Sequence, residues 1–120
     1  MSAHIEIRQA TAADAAQIHE LHTNSVKELC KKHYTSAQID GWLKNRQPNG
    51  YLAGIERGEM FVAMASADIV GFGHAVPGEV LAIFVAPQYV GRGVGKTLLD
   101  HGIQLAQRDP QRAVRVEATL

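Results

Sequence analysis

Cysteine is almost missing from this chain. Cys30 is the single one in 120 residues, which excludes an internal disulfide and points to a reducing compartment, the cytoplasm. Net charge is missing as well: 12 Lys and Arg balance 12 Asp and Glu, so no bulk field draws the chain to nucleic acid or to an acidic membrane. No apolar run is long enough to span a bilayer, and Met1–His4 lead straight into polar–apolar alternation; neither a membrane partner nor a secretory leader is expected. Metal-ligand spacing is absent too. His19 and His22 stand only three apart, and His22 and His33 match no metal motif, so no metal site is expected. There is no internal repeat and no low-complexity segment. With 46% apolar and 20% charged residues, the sequence has the composition of an ordinary globular protein, and its length suits one domain over residues 1–120.

The most informative stretch is Gly78–Arg108. Val80–Val85 is an almost unbroken apolar run closed by Pro87, the pattern of a buried strand. Gly91, Gly93 and Gly95 then alternate with Arg92, Val94 and Lys96. From Val94 on, Leu98, Leu99, Ile103, Leu105 and Ala106 recur at helical spacing. Glycines at a helix start let the backbone approach a ligand, and the first-turn N–H groups have no partners inside the helix. With the positive end of the helix dipole, they form a site for phosphate. A tight turn that merely needs small residues is the plainer alternative.

Upstream, Ile5–Arg8 alternates like a half-buried strand. Thr11 opens a helix, with Asp14 three residues on as a capping partner. Ala15, Ile18, Leu21, Val26 and Leu29 trace its apolar face, and His22 shares the stripe. Ser36 is the expected cap of a short helix over Ala37–Lys44, carrying Ile39, Trp42 and Leu43. Tyr51–Ile55 is apolar but fits no element by pattern. Glu59–Ala65 and Ile69–Ala75 read as two strands around a Ser66-Ala67-Asp68 turn. Pro77-Gly78 turns the chain into the central strand, Asp109-Pro110 ends the long helix, and Val114–Ala118 alternates as a last strand, expected to pair parallel.

Spacing separates three phosphate motifs at the glycines. A Walker loop needs a Gly separated by four residues from Gly95-Lys96-Thr97, and Val90 stands there. A dinucleotide fingerprint requires Gly where Lys96 is. The run Val85–Lys96 with Leu98-Leu99 resembles the acyl-coenzyme A loop of the GNAT acetyltransferase superfamily: Arg or Gln, two residues, Gly, one residue, Gly or Ala. Gln88-x-x-Gly91-x-Gly93 matches literally. Val90-x-x-Gly93-x-Gly95 fits the helix start better, with Val in the usual Arg or Gln position, and is the preferred register.

The resemblance covers nearly the whole chain and carries several expectations. It implies an α/β (α+β) fold in which helices flank a mixed, mostly antiparallel central sheet. It implies an acetyl-CoA-dependent N-acetyltransferase acting by direct attack on a primary amine of a small molecule or peptide, with acetyl-CoA as acyl donor. Pantetheine would lie along Ile83, Phe84 and Val85, and the diphosphate on Val90, Gly91, Arg92, Gly93, Val94, Gly95, Lys96 and Thr97. Glu79 matches a position where some members hold a general base, with His74 as the alternative; either is equally compatible with a plain surface role. His22, Tyr34 and Trp42 fall in the segment that lines the family's acceptor site, although Trp42 also suits helix packing. Family domains continue past the strand at Val114–Ala118 to a helix that often supplies a Tyr acid. A chain ending at Leu120 is thus expected to be shortened, to leave that strand's edge open and to form a homodimer through it. A non-catalytic acyl-CoA binder and, more distantly, a P-loop nucleotide binder are the other readings.

Overall fold

The computed structural model describes residues 5–30, 35, 37, 38, 51–107 and 115–116. The expected helix over Ala37–Lys44, and with it Tyr34 and Trp42, lies outside the described residues apart from 37 and 38. Five strands run β1 (Ile5–Gln9), β2 (Met60–Ala65), β3 (Asp68–Val76), β4 (Glu79–Val85) and β5 (Arg115–Val116). They form one sheet in that order, antiparallel from β1 to β4, with β5 parallel to β4. The described helices are α1 (Ala15–Cys30), α2 (Leu52–Glu56) and α3 (Val94–Ala106), with single 3-10 turns at Ala12–Asp14 and Pro87–Tyr89. Among the described residues, no helix is long and apolar enough to cross a membrane.

β2 is apolar throughout because both of its faces are covered. Successive strand side chains point to opposite faces. Phe61, Ala63 and Ala65 join Val70, Ile83, Val94 and Leu98 in a core beneath α3. Val62 and Met60 join Phe72, Ile18 and Leu21 in a second core beneath α1 and α2. Gly73 and Gly102 make the first core possible: an added Cβ would lie 2.3 Å from the Phe61 Cζ at Gly73 and 3.2 Å from it at Gly102. The ring of Phe61 occupies the volume that two side chains would otherwise fill.

Three expectations change in detail. The hairpin turn is Ser66-Ala67 alone, because Asp68 already pairs with Ala65; Ser66 adopts φ 57°, the left-handed conformation that a two-residue hairpin turn uses. Tyr51–Ile55, unassigned by pattern, supplies most of α2, too short to display a helical period. The buried face of α1 runs through Ile18, Leu21, His22 and Ser25, while Val26 is only half-buried. Thr11 and Asp14 pair as expected, the backbone N–H of Thr11 donating to Asp14 Oδ2 at 2.7 Å.

Two bulges interrupt the ladder. Ala63 pairs with Gly71 and Met64 with Ile69, leaving Val70 as the extra residue of β3. His74 pairs with Ala82 and Ala75 with Val80, leaving Leu81 as the extra residue of β4. Such a residue bends its strand and increases the local twist.

Candidate active site

The site is built on β4. Ala86 N–H donates to Val70 C=O at 2.8 Å, so Val85 and Gly71 form a pair without mutual hydrogen bonds. The backbone groups of Val85, and of Ile83 two residues earlier, therefore point away from β3. On that side β5 pairs only with Glu79 and Val80 among the described residues. From Leu81 on, no described residue pairs with that edge of β4. Ser25 Oγ, on α1, donates to the Val85 carbonyl at 3.0 Å and ties the helix to that edge.

Beside the edge lies a cavity of about 610 Å³, within the range of small-molecule sites. Ile83, Phe84 and Val85 form its floor, Ser25 and Glu28 of α1 one wall, and Pro87, Tyr89 and Leu99 further sides. Val90, Gly91, Gly93, Gly95 and Lys96 close the end at the start of α3. Gly93 is the N-cap of α3, left-handed at φ 83°, and Gly91 has φ 84°. A Cβ on either would meet nothing within 4 Å, so the backbone conformation and not crowding is what calls for glycine. No side chain caps the helix and no acidic residue stands in its first turn. Amide N–H groups, dipole and the Lys96 ammonium together suit a phosphate-bearing ligand. Gly93 as N-cap with Gly95 in the first turn is the arrangement of the preferred motif register.

The remaining expected residues are dispersed. Val94 is buried at 1% exposure and offers the site only its backbone. Arg92 lies over the Tyr89 ring at 5.3 Å. Thr97 Oγ1 donates to the Gly93 carbonyl at 2.9 Å, so its hydroxyl is engaged within the helix. His22 is 8% exposed, 4.3 Å from the Phe84 ring and bonded through Nδ1 to Tyr51 Oη at 2.8 Å; it packs inside an aromatic cluster and lines no part of the cavity. Glu79 and His74 are both absent from the cavity wall, and Glu79 stands six positions, at about 3.3 Å each, from Val85. His74 stands opposite Ala82, its Nε2 2.9 Å from Glu59 Oε1.

Sequence reasoning missed Ser25, Glu28, Tyr89 and Glu59. Ser25 had a signal, a polar residue seven after Ile18 on the buried stripe. Glu59 had none, since nothing local pairs it with a residue fifteen positions on.

The model of the Acetyltransferase (GNAT) family matches residues 15–119. The protein named Uncharacterized N-acetyltransferase YafP, of Escherichia coli (strain K12), is 27% identical over 95 residues, which are 79% of this chain and 63% of that protein. The chain thus spans somewhat less than two thirds of that curated relative. The PaiA N-acetyltransferase of Thermoplasma acidophilum, solved in complex with coenzyme A, superposes with a TM-score of 0.78 at 23% identity over 89% of this chain and 74% of that one. A GCN5-related N-acetyltransferase of Rhodopseudomonas palustris gives 0.70 at 26% identity, over 88% and 66%. The yncA protein of Salmonella typhimurium, solved with its cofactor acetyl-CoA, gives 0.64 at 22%, over 88% and 64%.

Proposed function

The chain belongs to the GNAT acetyltransferase family, and from that membership we propose that it is an acetyl-CoA-dependent N-acetyltransferase acting on a primary amine of a small molecule or peptide. The observation that carries the reading is the cavity that runs from the uncapped start of α3 along β4. Diphosphate is assigned to the N–H groups at Gly91–Lys96, with Lys96 as counter-charge. The pantetheine amides are assigned to the backbone of Ile83 and Val85, which face the cavity. The thioester end then lies toward Leu81. Bound there, acetyl-CoA supplies the acyl group, and the chain's own part is to orient it, to exclude water and to accept the amine's proton. Glu79 and His74 are the candidate acceptors of that proton.

Calorimetry with acetyl-CoA tests the site. Gly93→Asp puts a carboxylate and a strained backbone where phosphate is assigned, and Lys96→Glu reverses a charge without touching the backbone. Both are expected to weaken acetyl-CoA binding at least about tenfold, the equivalent of roughly 1.4 kcal/mol. Unchanged affinity in both variants would remove the turn from the site. Tight binding of ATP with magnesium, and none of acetyl-CoA, would favour the nucleotide-binding reading.

A homodimer is proposed as well. Its support is that β5 stands at one end of the described sheet, where no described strand pairs with its outer edge and a second copy could. A monomer mass by light scattering at micromolar concentration would sink it.

A further inference from the structure

We propose that His74 is the base of this site and that Glu59, a residue with no motif to mark it, holds His74 in the tautomer that works. The proposal rests on the acetyltransferase reading and decides between its two candidate bases. His74 Nε2 lies 2.9 Å from Glu59 Oε1, with the carboxylate side chain 15% exposed and the imidazole 28% exposed. The carboxylate is anchored through its backbone: Glu59 N–H donates to Gly54 C=O at 3.0 Å, and Ala75 N–H donates to Glu59 C=O at 2.9 Å. Gly54 also makes room for the ring, since a Cβ there would lie 3.3 Å from both Cε1 and Nε2.

An ionised carboxylate only accepts hydrogen bonds. The hydrogen of a neutral His74 therefore sits on Nε2, and Nδ1 keeps a lone pair. Among the described residues no hydrogen bond to Nδ1 is found, and the imidazole as a whole is partly exposed. His74 is opposite Ala82, one residue past the Leu81 bulge and one before Ile83 of the cavity floor, on a stretch of β4 with which no described residue of β5 pairs. Ala82 carries only a methyl, which leaves the surface of β4 beside the imidazole to an incoming amine. Glu79 stands three residues earlier on β4, where its backbone is paired with Val76 on one strand and Arg115 on the other.

The step balances as follows. The acceptor arrives as an ammonium and gives one proton to His74 Nδ1, which passes it to water. The freed nitrogen lone pair forms the C–N bond to the thioester carbonyl, the C–S bond breaks, and the second proton leaving the nitrogen ends on the coenzyme A sulfur.

The test uses the full chain with acetyl-CoA and a panel of spermidine, an aminoglycoside and a short peptide. His74→Ala is expected to lower kcat about 100-fold or more, with acetyl-CoA affinity held within about twofold and part of the rate restored by added imidazole. Glu59→Gln is expected to lower kcat about tenfold or more at unchanged acetyl-CoA affinity. It should also move His74 away from the Nε2–H tautomer in nitrogen-15 NMR spectra, a signature that loss of packing alone would not produce. If Glu59→Gln fails to fold, Glu59→Asp, with the charge drawn back, is expected to fall between it and the parent. Wild-type kcat and tautomer in the folded Glu59 variant, or wild-type kcat in His74→Ala with a drop only in Glu79→Gln, would overturn the proposal and leave the acetyltransferase reading standing. Acetyl-CoA bound without turnover on any amine would overturn the base and make the chain a binder. A parent that binds no acetyl-CoA would remove both.

Discussion

Among the described residues, the two-pronged ion pair of Arg8 and Asp14 takes no part in the cavity. Arg8 spans Asp14 with two hydrogen bonds, Nη1 to Oδ2 at 2.8 Å and Nη2 to Oδ1 at 2.9 Å. The Arg8 guanidinium, helped by the Thr11 N–H and hydroxyl and opposed by burial, lowers the Asp14 carboxyl from 3.8 to about 2. A carboxyl depressed in this way adds stability that is whole above 3.8 and is lost as pH falls toward 2. The guanidinium side chain is 42% exposed, so screening holds the pair to roughly 1 kcal/mol. Arg8→Ala should destabilise the chain by about that much at neutral pH, and the gap to the parent should close as the pH approaches 2. Urea unfolding at several pH values measures it; a gap that stays constant down to pH 2 would contradict the assignment.

Between elements, the contact that matters most for the cavity is Ser25 on β4. Its hydroxyl is buried and satisfies the Val85 carbonyl, which β5 does not pair among the described residues. Ser25→Ala would leave that acceptor to water or ligand, and the expected cost is about 1 kcal/mol, read as a lower urea midpoint at unchanged slope. A variant as stable as the parent would mean that the carbonyl finds water at no cost. The glycines of this fold divide by the same kind of reasoning. Gly73 is demanded by the Phe61 ring lying on it, whereas Gly91 and Gly93 are demanded by their positive φ, an added Cβ there meeting nothing within 4 Å. Packing explains the first, and a turn facing open space explains the second.

For the molecule as a whole, the proposed ligand bridges elements that pack in different cores. The start of α3 belongs to one core and the α1 wall to the other, and both border the same cavity. A ligand bound there and not by the unfolded chain stabilises the fold by mass action, about 2.7 kcal/mol at a hundred times its Kd. Thermal unfolding with acetyl-CoA at that excess should move upward by several degrees, and Lys96→Glu should need about tenfold more ligand for the same rise. A melting temperature indifferent to acetyl-CoA would contradict the assignment of the cavity.

Much of this was legible in the residues themselves, because it depends on local chemistry. Period-two alternation marks β1 and β5, a continuous apolar run marks β4, and helical spacing after Gly93 marks α3; each pattern follows from which faces a short segment must bury. The phosphate turn is equally local, since three alternating glycines before a helix have few other uses. Other features belong to the tertiary structure alone. The bulge at Leu81 and the pairing of β5 with Glu79 and Val80 depend on contacts between segments far apart in the chain. His22, on the expected stripe, is drawn into the aromatic cluster by Tyr51, Phe72 and Phe84, which no spacing relates to it. The partnership of Glu59 with His74 arises because β2 and β3 fold back on each other, bringing a residue just before one strand against a residue near the end of the next. Side-chain type and spacing determine which elements form and where a phosphate can sit. Which side chains face one another across the sheet is decided by strand register, a property of pairs of segments and not of either one.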